Sequence, residues 1–400
     1  MQVIADFHIH GRHSQATSKD LNIPNLEKYS LMKGVNLLGT GDFTHPKWIN
    51  HLKENLTEDH TGILRTKTNF PFILQTEISL IYSQGGKGRR VHNLVLVRNL
   101  DVVQQITEAL LKIGRVDYDG RPIFGISCIE FVELLKAIDK DIEVIPAHAW
   151  TPWFSVFGSK SGFDSLEECY GDQVKHINAI ETGLSSDPAM NWRLSQLDNI
   201  TLLSNSDLHS FWPWRMGREA NVFEMKEITY DNILNIIKTR NGFKETIEVD
   251  PAYGKYHYDG HRKCNVCLKP SETMKLNGIC PVCKKALTIG VEYRVEQLAD
   301  RPVGFKPKNA VPFRSLLPLS DILSSILKKA VSTKTVWIEY DKLLANFKNE
   351  FNVLMNVSRE DLSKVTTKEI SNAIVDYREG KIKINPGFDG EYGTPVFKKK

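Results

Sequence analysis

A parallel α/β barrel, followed by a four-cysteine metal module and a helical region, is the fold that the sequence predicts. Three observations predict it: apolar, β-branched runs that alternate with helical periodicity, polar residues gathered at the ends of those runs, and two late Cys-x-x-Cys pairs. The runs are Val3–His10, Asn36–Asp42, Phe70–Tyr82, Val91–Val97, Glu143–Ala149, Ile177–Gly183 and Asn199–Asp207, and seven strands suit a barrel. Helical periodicity marks Leu100–Ile113, Cys128–Ile138 and Tyr230–Thr239, and Asp187-Pro188 reads as an N-cap with proline at the first helical position. His8 and His10, Asp42, His148, Glu181, and Asp207 with His209 all fall at or just past the C-terminal ends of their runs. That rim is where barrels of this class assemble active sites.

One pair departs from the parallel pattern. Phe70–Tyr82 and Val91–Val97 are separated by a Gly-rich, basic segment too short for a crossover helix, so an antiparallel hairpin is expected. A turn centred near Gln84–Gly85 sets Glu77 roughly opposite His92, so both can address one site.

At 400 residues the chain exceeds one small core, and three regions are expected: a barrel over 1–245, a cysteine module over 255–290, and an extended then helical region over 291–400. The last region begins with the Pro-rich stretch Arg301–Pro318 and continues in helices over Ser320–Val331, Tyr340–Met355 and Ser358–Arg378. The net charge of +4 permits a polyanionic partner without demanding one. No apolar run is long enough to span a bilayer and the N-terminus is not a signal peptide, so a cytoplasmic protein with no membrane partner is expected. Four of the six cysteines fall in Cys-x-x-Cys pairs, which in a reducing compartment indicates metal rather than disulfides.

The polar residues of the rim have the composition of a metal centre. His8-x-His10 and Asp207-x-His209 are period-two pairs whose side chains share a face. Imidazole with carboxylate suits Zn²⁺, Mn²⁺ or Fe²⁺, and a shared carboxylate such as Glu77 can bridge two ions. Such a set would be costly to desolvate without a cation.

His8-x-His10, Asp42, Glu77, His92, His148, Glu181 and Asp207-x-His209 resemble, in order, the pattern of the PHP (polymerase and histidinol phosphatase) superfamily. That resemblance implies a distorted seven-stranded (β/α) barrel with two or three divalent metals, Zn²⁺, Mn²⁺ or Mg²⁺. It implies His8, His10, Glu77 and Asp207 on the first metal, Glu77, His92 and His148 on the second, and His209 on a third. Glu77, Asp207 and His148 are the residues expected to carry catalysis. The family usually has adjacent Asp-His where this chain has Asp42-Phe-Thr-His45; Asp42 or His45 would fill the third site, with His13 a further candidate, and Glu181 would bind a metal or orient a ligand.

Cys264-x2-Cys267-x12-Cys280-x2-Cys283 has the spacing of a structural Zn²⁺ ribbon with four thiolates, closed to substrate. The barrel pattern, this module and the Pro-rich stretch from Arg301 together resemble the endonuclease Q family over essentially the whole chain. The resemblance implies hydrolysis of the DNA phosphodiester 5′ to uracil, hypoxanthine, xanthine or an abasic site. Two loops that leave His148 and His209 mix aromatic and basic residues. Trp153, Lys160, Trp212 and Arg215, with Arg89 and Arg90 of the hairpin and Lys306 and Lys308 of the Pro-rich stretch, are the candidate DNA contacts. A phosphatase of small phosphate monoesters would use the same metals but not the module. A non-catalytic zinc-ribbon protein would use the module but not the metals. A sliding clamp is a conceivable partner, though no clear clamp-binding motif is present.

Overall fold

The protein is described by a computed structural model, and the structure describes residues 1–396. Each of the seven expected runs contains a strand: β1 (Gln2–Asp6), β2 (Leu37–Gly39), β3 (Pro71–Gln84), β4 (Lys87–Val97), β5 (Glu143–Pro146), β6 (Ala179–Glu181) and β7 (Thr201–Leu203). Two strands that the sequence pattern did not reveal follow, β8 (Ala220–Glu224) and β9 (Phe243–Glu248). They are antiparallel neighbours beside β1, so the sheet is mixed rather than parallel. β1, β2 and β3 pair in parallel, and β3–β4 and β4–β5 are antiparallel. β6 and β7 form a separate parallel pair.

Backbone and amide bonds join that pair to its neighbours. Ala149 N donates to Glu181 O (3.0 Å), and Leu208 N to His8 O (3.1 Å). Asn221 on β8 is buried; its Nδ2 donates to Ser204 O (2.8 Å) and its Oδ1 accepts from Ser204 N (3.0 Å). A side-chain amide thus replaces ladder bonds between β8 and the end of β7. Val3, Ala5, Leu37, Ile73, Leu94, Leu96, Ile145, Ala179 and Leu203 form one cluster to which every strand from β1 to β7 contributes. Ile4, Leu38, Leu74 and Val144 instead pack against helix residues such as Leu26, Val102 and Phe131. Strand alternation therefore sends one face inward and the other against the helices.

The hairpin turn is centred one residue later than expected. Gly85 and Gly86, with φ of 60° and 72°, take its two central positions and Gln84 pairs with Lys87. Two consecutive positive-φ positions favour glycine. Glu77 consequently pairs with Leu94, and His92 with Ser79. Moving a turn centre by one residue moves the register by two, so Glu77 and His92 become diagonal neighbours and keep the same face.

The helices Cys128–Ile138 and Tyr230–Thr239 have the expected bounds. Ser127 and Glu130 cap the first reciprocally, and Asp187 accepts from Met190 N at 2.8 Å to open the helix Pro188–Asn191. In the C-terminal region two expected helices are each split. Tyr340–Met355 falls across Lys334–Phe347 and Glu350–Met355, and Ser358–Arg378 becomes Arg359–Val365 and Lys368–Arg378. Asn349 and Thr367 cause the breaks: each side chain accepts a backbone N–H three residues on, from Asn352 and Ile370, and so starts a new helix. The Pro-rich stretch also supplies a strand, Phe313–Ser315, parallel to β9. Among the described residues no helix is long and apolar enough to cross a membrane.

The C-terminal helices are fastened to the helix Ile23–Lys33, which follows β1, by a buried ion pair. Lys33 and Glu350 are 1% and 0% exposed and lie 2.6 Å apart. Lys33 Nζ also donates to Pro213 O (3.0 Å), while Glu350 accepts from Tyr340 Oη (2.7 Å) and Leu319 N (2.9 Å). Every hydrogen-bonding partner of the carboxylate is thus internal. Glu350→Ala should cost about 3–5 kcal/mol by leaving Lys33 buried and unpaired. Lys33→Met together with Glu350→Leu should recover a substantial part of that loss. Urea denaturation of the three proteins checks both; a loss under about 1 kcal/mol for Glu350→Ala would contradict the buried pair.

Candidate metal centre

Strand ends and the irregular segments after them carry the site. His8 and His10 follow β1, and their rings stand 5.3 Å apart. Glu77 is central: it is fully buried in the middle of β3 and meets side chains from four directions. Its Oε1 lies 2.9 Å from His92 Nδ1, 3.1 Å from His148 Nε2 and 3.6 Å from His8 Nε2. Its Oε2 lies 3.3 Å from His10 Nε2 and 3.1 Å from Arg121 Nη1. Asp207 Oδ1 is 3.5 Å from His8 Nε2 and 3.3 Å from His10 Nε2. Donor atoms close into two groups of metal-binding size: His8 with His10 and Asp207, and Glu77 with His92 and His148.

These groups fit divalent cations. His8 Nε2, His10 Nε2 and Asp207 Oδ1 are buried and have no hydrogen-bond partner, although they face one another. Three orphaned polar atoms at one point are costly unless a cation completes them. Burial acts to lower the pKa of both histidines. Glu181, Glu77 and Asp207 around His8, and Asp42 with Asp207 and Glu77 around His10, raise it well above the ordinary value. The point between the two rings therefore favours positive charge. Despite burial, His92, Arg121 and His8 hold Glu77 well below the usual carboxylate range. Burial takes His92 down to about 4, so it remains a neutral donor.

Glu181 and Asp42 lie outside both groups and hydrogen-bond to their members. Glu181 takes His8 Nδ1 at 2.9 Å, His148 N at 2.9 Å and Asn205 Nδ2 at 2.7 Å. Asp42 takes His10 Nδ1 at 3.0 Å, Gly11 N at 2.5 Å and Ser14 Oγ at 2.6 Å. With Nδ1–H directed at a carboxylate, each imidazole presents its Nε2 lone pair to the centre. His209 Nδ1 lies 3.5 Å from Asp207 Oδ1, and its ring packs 4.6 Å from that of His10. His45 stacks on His13 at 4.6 Å and stands at the N-cap of Pro46–Asn55, outside both groups. Asp42, His148 and Asp207 all have positive φ, 36°, 30° and 48°. Left-handed backbone at three non-glycine site residues is held strain, concentrated where the ligands are aimed.

Arg121 was not among the residues expected at the site. It follows Asp119-Gly120, and a Cβ at Gly120 would lie 2.3 Å from Asp42 Oδ2, so the loop presses directly on the site. Cationic character in a Gly-Arg-Pro turn was the available signal, but no ligand spacing accompanies it.

The candidate DNA contacts divide. Trp153 is 37% exposed and stands edge-on to Tyr256, whereas Trp150 is buried with its Nε1 bonded to Asn191. Trp212 is half-buried: it stacks on Trp214 at 5.3 Å, packs 5.5 Å from Trp337 of the C-terminal helices, and lines an open cleft with both. Arg89 lies over Phe163 at 3.9 Å and bonds Gly162 O; Arg90 is exposed and lies 5.5 Å over Phe154. Lys160 is exposed and shares a cleft with Arg89 and Lys87. Arg215 bonds Tyr392 Oη at 3.0 Å. Lys306 and Lys308 are both exposed, the former 5.8 Å over Trp192.

In the cysteine module the donors that close together are His261, Cys264, Cys280 and Cys283; Cys267 is outside that group. The helix that follows the module, Val291–Leu298, rests on the loop after His148 through Arg294, which donates to Phe157 O (2.9 Å) and Phe163 O (3.0 Å).

Asp42→Asn removes the charge that fixes the His10 ring but leaves the ring itself in place. It should weaken retention of the barrel metals by about 10–100-fold with the fold intact. Metal analysis after dialysis against graded chelator, beside a thermal melt, checks this; unchanged retention would refute the orienting role.

Comparison with known proteins agrees with this architecture. A family model described as the MJ0043 C-terminal domain matches residues 318–381. The uncharacterized protein MJ0043 of Methanocaldococcus jannaschii is 35% identical over 298 residues, and the chain spans 36% of that relative's length. The uncharacterized protein YqxK of Bacillus subtilis is 29% identical over 412 residues, with 98% of each chain covered. The crystal structure of the lesion-specific endonuclease PfuEndoQ from Pyrococcus furiosus superposes with a TM-score of 0.88 at 32% identity, covering 99% of this chain and 95% of that one. Endonuclease Q in complex with a 27-mer duplex substrate, an abasic lesion at its active site, superposes with a TM-score of 0.90 at 33% identity, covering 100% and 97%. With identity of this order sustained over nearly the full length of both solved relatives, this chain belongs to the endonuclease Q family.

Proposed function

We propose that this chain is a DNA repair endonuclease, a metal-dependent phosphodiester hydrolase that cuts 5′ to uracil, hypoxanthine, xanthine or an abasic site. One observation carries the reading: two buried donor groups meet at Glu77, three of their atoms lack any partner, and they sit in a chain that matches a DNA-bound endonuclease Q from end to end. On this reading β1–β7 are a distorted seven-stranded PHP barrel, supported by the inner cluster to which all of them contribute. Residues near 255–290 are a zinc ribbon.

We assign His8, His10, Asp207 and Glu77 to one ion, Glu77, His92 and His148 to a second, and His209 to a third. Bound Zn²⁺, Mn²⁺ or Mg²⁺ would supply a water of lowered pKa and stabilise the leaving oxygen. The protein's own groups do the rest. Glu77 and Asp207 contribute the negative charge, Glu181 and Asp42 fix the imidazole tautomers, and Arg121 sets a guanidinium beside Glu77, where it can pair with a non-bridging phosphate oxygen. Trp153 is placed to stack on an extruded base, with Arg90 and Lys160 as nearby cations for the backbone.

Glu77→Gln should abolish cleavage of a duplex containing one deoxyuridine or deoxyinosine, and His8→Ala and Asp207→Asn should do the same; near-normal turnover in any of them would overturn the assignment. Arg121→Met should lower turnover by about 10²–10³-fold with metal content unchanged. Trp153→Ala should cost about 1–3 kcal/mol of binding on deoxyuridine and deoxyinosine duplexes, and less on an abasic one, which has no ring to stack. Equal losses on all three substrates would make Trp153 a packing residue. Equal cleavage of undamaged duplex by the unaltered protein would leave a general nuclease.

A further inference from the structure

The cysteine module closes around an unexpected donor. Its first part is a hairpin, β10 (Asp259–His261) and β11 (Val266–Leu268), in which Asp259 pairs with Leu268, Gly260 with Cys267 and His261 with Val266. Directly paired residues in a ladder share a face, and successive residues alternate. Val266 and Leu268 both pack with Cys264, Cys280, Cys283 and Leu287 in the module's small core. Cys267, between them, must therefore face the other way, and His261, opposite Val266, must face the core. The distances agree: His261 Nδ1 is 3.3 Å from Cys283 Sγ, and the donor atoms of His261, Cys264, Cys280 and Cys283 all lie within 4.8 Å of one another.

The opposite face is already used for packing. A Cβ at Gly260 would come within 2.4 Å of Phe388 Cδ2, so the partner position of Cys267 is left bare to admit that ring from the C-terminal segment. Turning Cys267 into the core would require reversing β11, which would expel Val266 and Leu268 from it.

We propose that the ribbon zinc is held by His261, Cys264, Cys280 and Cys283, and that Cys267, although it completes the Cys-x-x-Cys spacing, is a free thiol on the other face of the hairpin. Three thiolates with one imidazole form a closed tetrahedral set as four thiolates do, so the site remains structural. The assignment rests on reading the module as a zinc site.

Cobalt substitution of the full-length protein tests it. Only the ribbon offers thiolates to the metal, so the sulfur-to-cobalt charge-transfer band counts them. In Cys267→Ser the band should keep its full intensity and the protein its zinc. In His261→Ala zinc retention should fall at least ten-fold, and His261→Cys should restore retention while raising the band by about one third, from three thiolates to four. A band that drops by about one quarter in Cys267→Ser, or zinc lost from Cys267→Ser and kept in His261→Ala, would overturn the proposal. Absence of any thiolate band in the unaltered protein would overturn the zinc-site reading itself, and this assignment with it, while leaving the barrel metals untouched.

Discussion

Glu77 is the constraint around which the strand ends are arranged. A carboxylate with no solvent exposure survives only if positive or hydrogen-donating groups surround it, and here four imidazoles and a guanidinium do so within 3.6 Å. Those groups come from the end of β1, from β4, from the loop after β5 and from the turn at Arg121. Bringing them to one carboxylate obliges the strands to converge at their ends, and it explains why β3 and β4 form a hairpin rather than a crossover pair. Only an antiparallel neighbour joined by a tight turn places His92 on the Glu77 face without an intervening helix.

Convergence has a structural cost, and the fold bears it close to the site. Regular strands would carry the side chains past the centre, so the backbone leaves β geometry at Asp42, His148 and Asp207 by entering the left-handed region. Each such residue costs of order 1–3 kcal/mol and persists because its surroundings fix it. Side-chain amides perform that fixing. Asn205 accepts from Phe7 N at 2.9 Å and donates to Glu181 at 2.7 Å, and Asn221 holds Ser204 by both its amide atoms. Where the ladder fails, these asparagines satisfy the backbone groups that strand pairing would have satisfied.

Much of this was legible in the sequence. Period-two His and Asp pairs at the ends of apolar runs identified the donor residues, because ligand chemistry restricts the residue types and strand geometry restricts their spacing. The helix cap at Asp187 was equally readable, being local. What escaped were relations that no local pattern encodes. The strands β8 and β9 carry Asn221 and Glu248 among their apolar residues, and burial of those polar groups depends on partners far away in the chain. Arg121 gains its meaning only from the loop packing that Gly120 permits. In the cysteine module the Cys-x-x-Cys spacing fixes the separation of Cys264 and Cys267 along the chain but not the face that β11 presents, and Cys267 lies outside the donor group that closes there. Trp212 reads as a rim residue by its place after His209, and no local pattern announces the distant Trp337 that packs beside it.

The buried pair of Lys33 and Glu350 bears on how the molecule comes apart. Residues 318–381 match a family model of their own, which suggests a unit able to stand alone. Yet its central carboxylate is paired with a lysine at the end of the helix Ile23–Lys33, and among the described residues that lysine makes no other ion pair within 4 Å. Neither side can separate without carrying a bare charge into its apolar surface. Barrel and C-terminal helices should therefore lose structure together, in one cooperative transition, so that the boundary visible in sequence is not a boundary in stability.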